Sequence, residues 1–262
     1  MRLSKPLLTL ALSGCMLFSM QYSGPPWFRE NHKAFNLVYT TKDESGKKEY
    51  VAITKKGIVT VKKFFGSSFS KKFDLFIHPD RHSLDSTWQK DWSIPGFRSE
   101  CWMVASGVAA RLDLLSPSVW ATQACEHVYN ETEKTQRLVA HELVHVFHGQ
   151  QNTSPDFSNT EGIDWFVEGL ATYASGQCDT ARLSEIKKAV VTGKIPGSLD
   201  KFWTGKLKYG LAGSVVMYID YKYGRAKLKE LLPLNKKSEI LDSLNTTETE
   251  LLTGWRKYLE NI

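Results

Sequence analysis

The stretch Leu138-Val139-Ala140-His141-Glu142-Leu143-Val144-His145-Val146-Phe147-His148 constrains this chain more than any other. Its apolar residues recur at helical spacing. On a helix, residues four apart share a face, so the imidazoles of His141 and His145 project side by side and can close on one metal ion. Glu142 lies beside the first of them. It can reach a water held at that ion without being a ligand itself, which suits a general base.

Two histidines need a third ligand. Structural sites use four protein ligands, whereas catalytic sites use three and leave one position open. A histidine six residues after His145 would complete one known pattern, but position 151 is Gln151 and His148 stands where that pattern needs glycine. The other source is a glutamate on a later helix. Asp164-Trp165-Phe166-Val167-Glu168-Gly169-Leu170-Ala171-Thr172-Tyr173 offers two acids at helical spacing in apolar company. A carboxylate is costly to bury there unless a cation compensates it.

The pair His141-Glu142-x-x-His145 and Trp165-x-x-Glu168-Gly169-x-Ala171-x-Tyr173 resembles the gluzincin zinc metallopeptidases, the peptidase MA-like group related to aminopeptidase N and thermolysin. The resemblance is specific over the two motifs and loose over residues 70–262. It implies one Zn²⁺ held by His141, His145 and a carboxylate, with Glu142 as base. The spacing of aminopeptidase N-like enzymes falls on Asp164, whereas the Glu-Gly-x-Ala context falls on Glu168. Context is preferred, because loops tolerate insertions while the residues packed around a ligand do not. Asp164, one turn earlier, is then expected to orient a ligand histidine from outside. Thr172 stands where relatives often carry an acid.

Tyr209-Gly210-Leu211-Ala212-Gly213 looks like the segment that opens with the family's transition-state tyrosine, so Tyr209 is the expected oxyanion donor; a core tyrosine is the competing reading. Aminopeptidase relatives also carry a Gly-x-Met-Glu-Asn strand whose glutamate holds the substrate's free amine. The counterpart is Gly107-Val108-Ala109-Ala110-Arg111, with no acid, which implies an endopeptidase or specialised hydrolase. Arg111 either faces the cleft, favouring an acidic substrate, or sits in a surface salt bridge. His32, His78, His82, His127 and His148 lack ligand spacing and are expected at the surface or in the core. Two other functions stay open: a cell-envelope binding or assembly factor that keeps zinc without turnover, and a metal-dependent amidase acting on cell-wall amides. The intact Glu142 favours turnover.

The N-terminus predicts export. A basic head, Met1–Lys5, precedes the apolar run Leu7–Met20, which is short for a bilayer span but suits a secretory signal. Leu12-Ser13-Gly14-Cys15 resembles a bacterial lipobox, implying lipidation at Cys15 and a cell-envelope lipoprotein; an ordinary cleaved signal or an uncleaved anchor are the alternatives. In an oxidising compartment Cys101, Cys125 and Cys178 allow at most one disulfide, with three possible pairings. The net charge of +6 is spread over scattered lysine pairs, as on solvated faces, and no nucleic-acid module is present. The expected partners are a peptide or protein substrate and, through the lipid, a membrane.

The expected fold class is α+β: a small mixed or antiparallel sheet with helices in an N-terminal lobe, then an all-helical lobe, zincin-like with the site between them. Residues 1–20 read as the signal, 21–34 as a tether, and 35–262 as one catalytic domain with lobes 35–120 and 121–262. Strands are predicted at 35–40 and 73–77, and one or two extended segments within 102–115. Residues 47–65 are predicted helical by analogy of position, although Gly57 and β-branched residues argue against it. Residues 88–97 read as loop. Asn130 with Glu133 predicts a capping box opening a helix that ends near Gly149. Further helices are predicted at 163–174, at 209–223 stopped by Gly224, and at 226–232, 238–244 and 248–259. A connector is predicted between Gly176 and Tyr209.

Overall fold

Short strands build the sheet, the central ones buried along most of their length. The computed structural model describes residues 26–262; the signal and lipobox expectations, Cys15 included, lie outside them. In chain order the elements are β1 (Trp27–Asn31), β2 (Phe35–Thr40), α1 (Lys47–Phe65), β3 (Phe73–His78), α2 (Arg81–Asp91), β4 (Ala105–Val108) and β5 (Arg111–Leu115). Then come α3 (Trp120–Gln123), α4 (Thr132–Gly149), α5 (Asp164–Ala174), α6 (Thr180–Val191), α7 (Lys208–Glu230), α8 (Lys237–Ser243) and α9 (Glu248–Asn261). The fold is α+β. Among the described residues no helix is long and apolar enough to cross a membrane.

The sheet is mixed, in the order β1-β2-β3-β5-β4, with β2, β3 and β5 parallel and an antiparallel strand at each edge. Register places Leu37 beside Leu75, Leu75 beside Leu112, and Leu112 beside Gly107. The three leucines are fully buried, each contributing roughly 2 kcal/mol by transfer from water. The row ends on a residue without a side chain, and α4 lies directly on the strand there. A Cβ at Gly107 would stand 2.3 Å from the Glu142 carbonyl oxygen.

Close crossings of this kind set the helices. Gly57, the residue that argued against α1, is where α1 meets α4, its absent Cβ leaving room for Leu143 and the Ala140 backbone. Gly169 plays the same part between α5 and α7, where a Cβ would lie 2.4 Å from the Ala212 carbonyl oxygen. Gly224, at φ 82° and ψ 161°, interrupts α7 after Tyr223, as its sequence predicts. The Thr247/Glu250 capping box opens α9.

Several expectations need correction. Residues 27–31 are not a tether: they pair antiparallel with β2, and Arg29 forms a bidentate ion pair with Asp74 at 2.9 and 2.8 Å. Trp88–Asp91 is not loop but the end of α2, capped by Asp80 on the Ser83 amide and anchored by buried Leu84 and Trp88, four residues apart. The connector after Gly176 contains α6, capped by Asp179 and anchored by Ile186 and Ala189. The Asn130/Glu133 box does not form, because Glu133 pairs with Arg137 one turn on. Of the three possible disulfides, Cys101–Cys125 is present, and Cys178 has no disulfide partner among the described residues.

Candidate metal centre

Helix α4 is buried from Val139 to Gly149, between α1, β4 and α5. That position turns His141 and His145 toward α5, whose buried Trp165, Phe166 and Leu170 hold it in place and leave Glu168 facing back. The His141 and His145 Nε2 atoms are 3.1 Å apart, and Glu168 Oε2 lies 3.3 Å from the first and 3.6 Å from the second. Three donors at the corners of a tetrahedron with bonds of about 2.0–2.1 Å would be separated by about 3.3 Å. A point equidistant from the observed three lies about 1.9 Å from each, close to such a bond length. The donors therefore fit one tetrahedral ion with a fourth corner open to the cleft. Asp164 is not among the converging ligands.

The two carboxylates near this point are driven apart. Burial pushes the Glu142 carboxyl above its ordinary range, more than the histidine charges and a hydrogen bond from the Gly107 amide pull it down. Burial also opposes charge on Glu168, but His145 and His141 more than offset it and hold that carboxyl well below the usual range. His145, penalised by burial, is raised by Glu168. One acid is poised to carry a proton and the other to stay charged, which is how two like groups divide an acid–base task and a ligand task.

All of these side chains line one cleft of about 500 Å³, together with Asp164 and Tyr209. Burial, then the charges of Glu168 and Glu142, raise the Tyr209 phenol well above its ordinary value, so its proton stays available for donation. Its ring lies 6.3 Å from that of His141. Edge strand β4 forms one wall of the cleft through Ala105–Val108.

Other expectations fall out differently. Asp164 makes no hydrogen bond to either histidine; it faces the cleft, its carboxyl raised by burial and by Glu168. Behind His141, Nδ1 is buried with no partner among the described residues, and Asp164 is not the outer acceptor expected there. Thr172 does not reach the cleft, being fully buried against Gly213 of α7. Arg111 is turned away as well: it pairs with Asp113 at 2.7 Å and Asp91 at 3.3 Å and covers Phe76. His148 is a core residue bonded to the Leu232 carbonyl, whereas His127 lines the cleft and bonds the Trp102 carbonyl at 2.9 Å. Sequence reading also missed Trp102, Trp203, Lys208 and Arg182 around Tyr209. The one local signal was Trp102 adjoining Cys101, whose disulfide ties that wall to the segment carrying His127.

No family model matches the chain, and no curated protein matches it by sequence. Among solved structures it is similar to a crystal structure of an M1 zinc metallopeptidase from Deinococcus radiodurans, at 14% identity and a TM-score of 0.48. That likeness covers 90% of this chain and 52% of the other, so the chain spans about half the length of the structure it matches.

Proposed function

We propose that this chain is an exported zinc metallopeptidase of the gluzincin kind, cutting within peptide chains. The observation that carries the reading is the triangle of His141 Nε2, His145 Nε2 and Glu168 Oε2, with edges of 3.1, 3.3 and 3.6 Å. These three residues would hold the ion, which when bound supplies Lewis acidity that polarises a carbonyl and acidifies a water. Glu142, its carboxyl raised by burial, takes the proton of the attacking water and passes it to the leaving amine. Tyr209 donates its phenolic proton as a hydrogen bond to the oxygen on which negative charge develops, a contact worth roughly 3–4 kcal/mol in comparable sites. Among the described residues the outer edge of β4 has no strand beside it, and it can pair with an extended substrate backbone. No acid lies on β4 to hold a free amine, which supports endopeptidase over aminopeptidase. The Cys101–Cys125 disulfide supports export to an oxidising compartment, with Cys15 as the proposed lipid anchor.

The test combines metal analysis with turnover of casein and of cell-wall fragments. One equivalent of zinc and cleavage of casein are expected, with Glu142→Gln lowering turnover by about 10²–10⁴ while keeping the metal. Glu168→Ala should lose most of the metal and Asp164→Ala should keep it. Activity surviving Glu142→Gln removes the proposed base. Zinc without hydrolysis of either substrate favours the binding factor, and cleavage of wall fragments alone favours the amidase.

A further inference from the structure

Other arginines of the fold are already occupied. Arg111 carries Asp113 and Asp91, and Arg137 carries Glu133 and Asp179. Arg81 spends its guanidinium on the carbonyls of Glu100, Cys101, Met103 and Gln123 and on the Ser99 hydroxyl. Arg182 and Lys208 are different. With Lys206 they line the arm of the cleft beyond Tyr209, and none of the three has a carboxylate partner among the described residues. Asp179, three residues before Arg182, is committed elsewhere: it caps α6 through the Arg182 amide at 3.1 Å and carries Arg137 at 3.0 Å.

What these cations touch instead is aromatic. The Arg182 guanidinium lies 5.1 Å from the Tyr209 ring, and the Lys208 ammonium lies 4.5, 4.6 and 5.2 Å from the rings of Trp102, Trp203 and Tyr209. Ring faces stabilise the charge but leave the N–H donors free for an acceptor. Both side chains are half-buried, so water and salt screen them less than a surface lysine. The acids on the same arm are Glu126, which is exposed, and Glu142, whose carboxylate is proposed as the base. Three unpaired cations thus face a concave surface beside the triad, where an entering anion is attracted.

The geometry points to this arm as a carboxylate-binding subsite, in which Arg182 and Lys208 hold an anionic group of the substrate on the Tyr209 side of the triad. This rests on the peptide-hydrolysing reading and names its substrate class: peptides that place an acidic side chain beside the scissile bond on that side, or a free C-terminal carboxylate within a few residues of it. Arg182 supplies a planar fork that matches a carboxylate, and Lys208 a point charge held upright by three rings.

The subsite is tested by binding. One fluorescent neutral peptide is prepared in three forms: a C-terminal amide, the free carboxylate, and an amide with one glutamate beside the central bond. On the full-length, zinc-loaded Glu142→Gln protein, a carboxylate form should bind about tenfold more tightly than the neutral amide in about 0.05 M salt, and the advantage should shrink in about 0.5 M salt. Whichever form shows the advantage identifies the source of the anion. Arg182→Gln and Lys208→Gln should each remove most of it. Equal affinities at low salt, no measurable binding of either carboxylate form, or an advantage that survives both substitutions overturns the subsite. If one variant fails to fold, the other and the salt dependence still decide. Binding is read on a protein that need not turn over, so failure of wild-type hydrolysis would count against the peptidase reading separately from this result.

Discussion

Glu142 and Glu168 are the same residue type beside one cleft, and their surroundings assign them opposite tasks. Glu168 accepts from two imidazoles and stays charged; Glu142 lies under β4, where burial outweighs the charges of His141 and His145 and the Gly107 amide that favour its anion. His148, one turn past His145, shows the same physics on a cation. It is fully buried, with Nε2 on the Leu232 carbonyl and no partner for Nδ1 among the described residues, and burial pushes it from 6.5 down to about 3. Above the unfolded value both states are neutral. Below it the unfolded chain binds a proton that the folded chain refuses, so stability is lost as pH falls from 6.5 toward about 3. The loss can reach about 1.4 kcal/mol per pH unit. His148→Gln should therefore gain on the wild type as pH falls, and urea midpoints at successive pH values check it. A difference that stays constant with pH would remove His148 from the acid limb.

At the scale of elements, three glycines bring the cleft together. Gly57, Gly107 and Gly169 each stand where one element lies directly on another, and two of them oppose backbone atoms at under 2.5 Å from a would-be Cβ. Backbone cannot swing aside as a side-chain tip can. Gly169→Ala should therefore cost about 2–3 kcal/mol in thermal or urea unfolding, by the usual penalty of overpacking. Because Glu168 precedes it, α5 should also shift enough to weaken metal retention. Gly197→Ala, with nothing within 4 Å and no positive φ, is the control expected near neutrality. Local pattern identifies α5 and the interrupted α7 well, whereas α1 rests on analogy of position against its own Gly57 and β-branched residues. The same pattern missed α2 and α6, whose caps at Asp80 and Asp179 were legible but whose buried faces are only two residues each. It placed Trp27–Asn31 outside the fold because an edge strand with mostly exposed side chains carries little apolar signal; its place comes from backbone pairing and the Arg29–Asp74 ion pair.

At the scale of the whole molecule, the Cys101–Cys125 disulfide joins a cleft wall to the segment leading into α4. It closes a loop of sequence separation 24. Replacing both cysteines with serine should cost about 3 kcal/mol in the chain-entropy account, or roughly 6–12 °C in melting temperature for a chain of this size. Trp102 and His127 flank the bridge, so the same variant should also loosen the wall around Lys208, read as a change in tryptophan fluorescence and in peptide affinity. Unchanged melting would show that the bridge does not hold this part of the fold.

By itself the sequence determined what was local. The four-residue spacing of His141 and His145, the acid between them, the apolar pattern around Glu168 and the breaks at Gly149, Gly176 and Gly224 all act over one or two helical turns, a range in which neighbouring residues dictate geometry. Only the tertiary structure decided what met across the cleft. It brought Glu168 rather than Asp164 to the histidines, buried Thr172 between helices, paired Arg111 away from the cleft, and left Arg182 and Lys208 without carboxylates among the described residues. Those outcomes depend on how far each helix slides along its neighbour. That is set by side-chain volume at crossings such as Gly169 on Ala212, and it is invisible to any pattern read along a single segment.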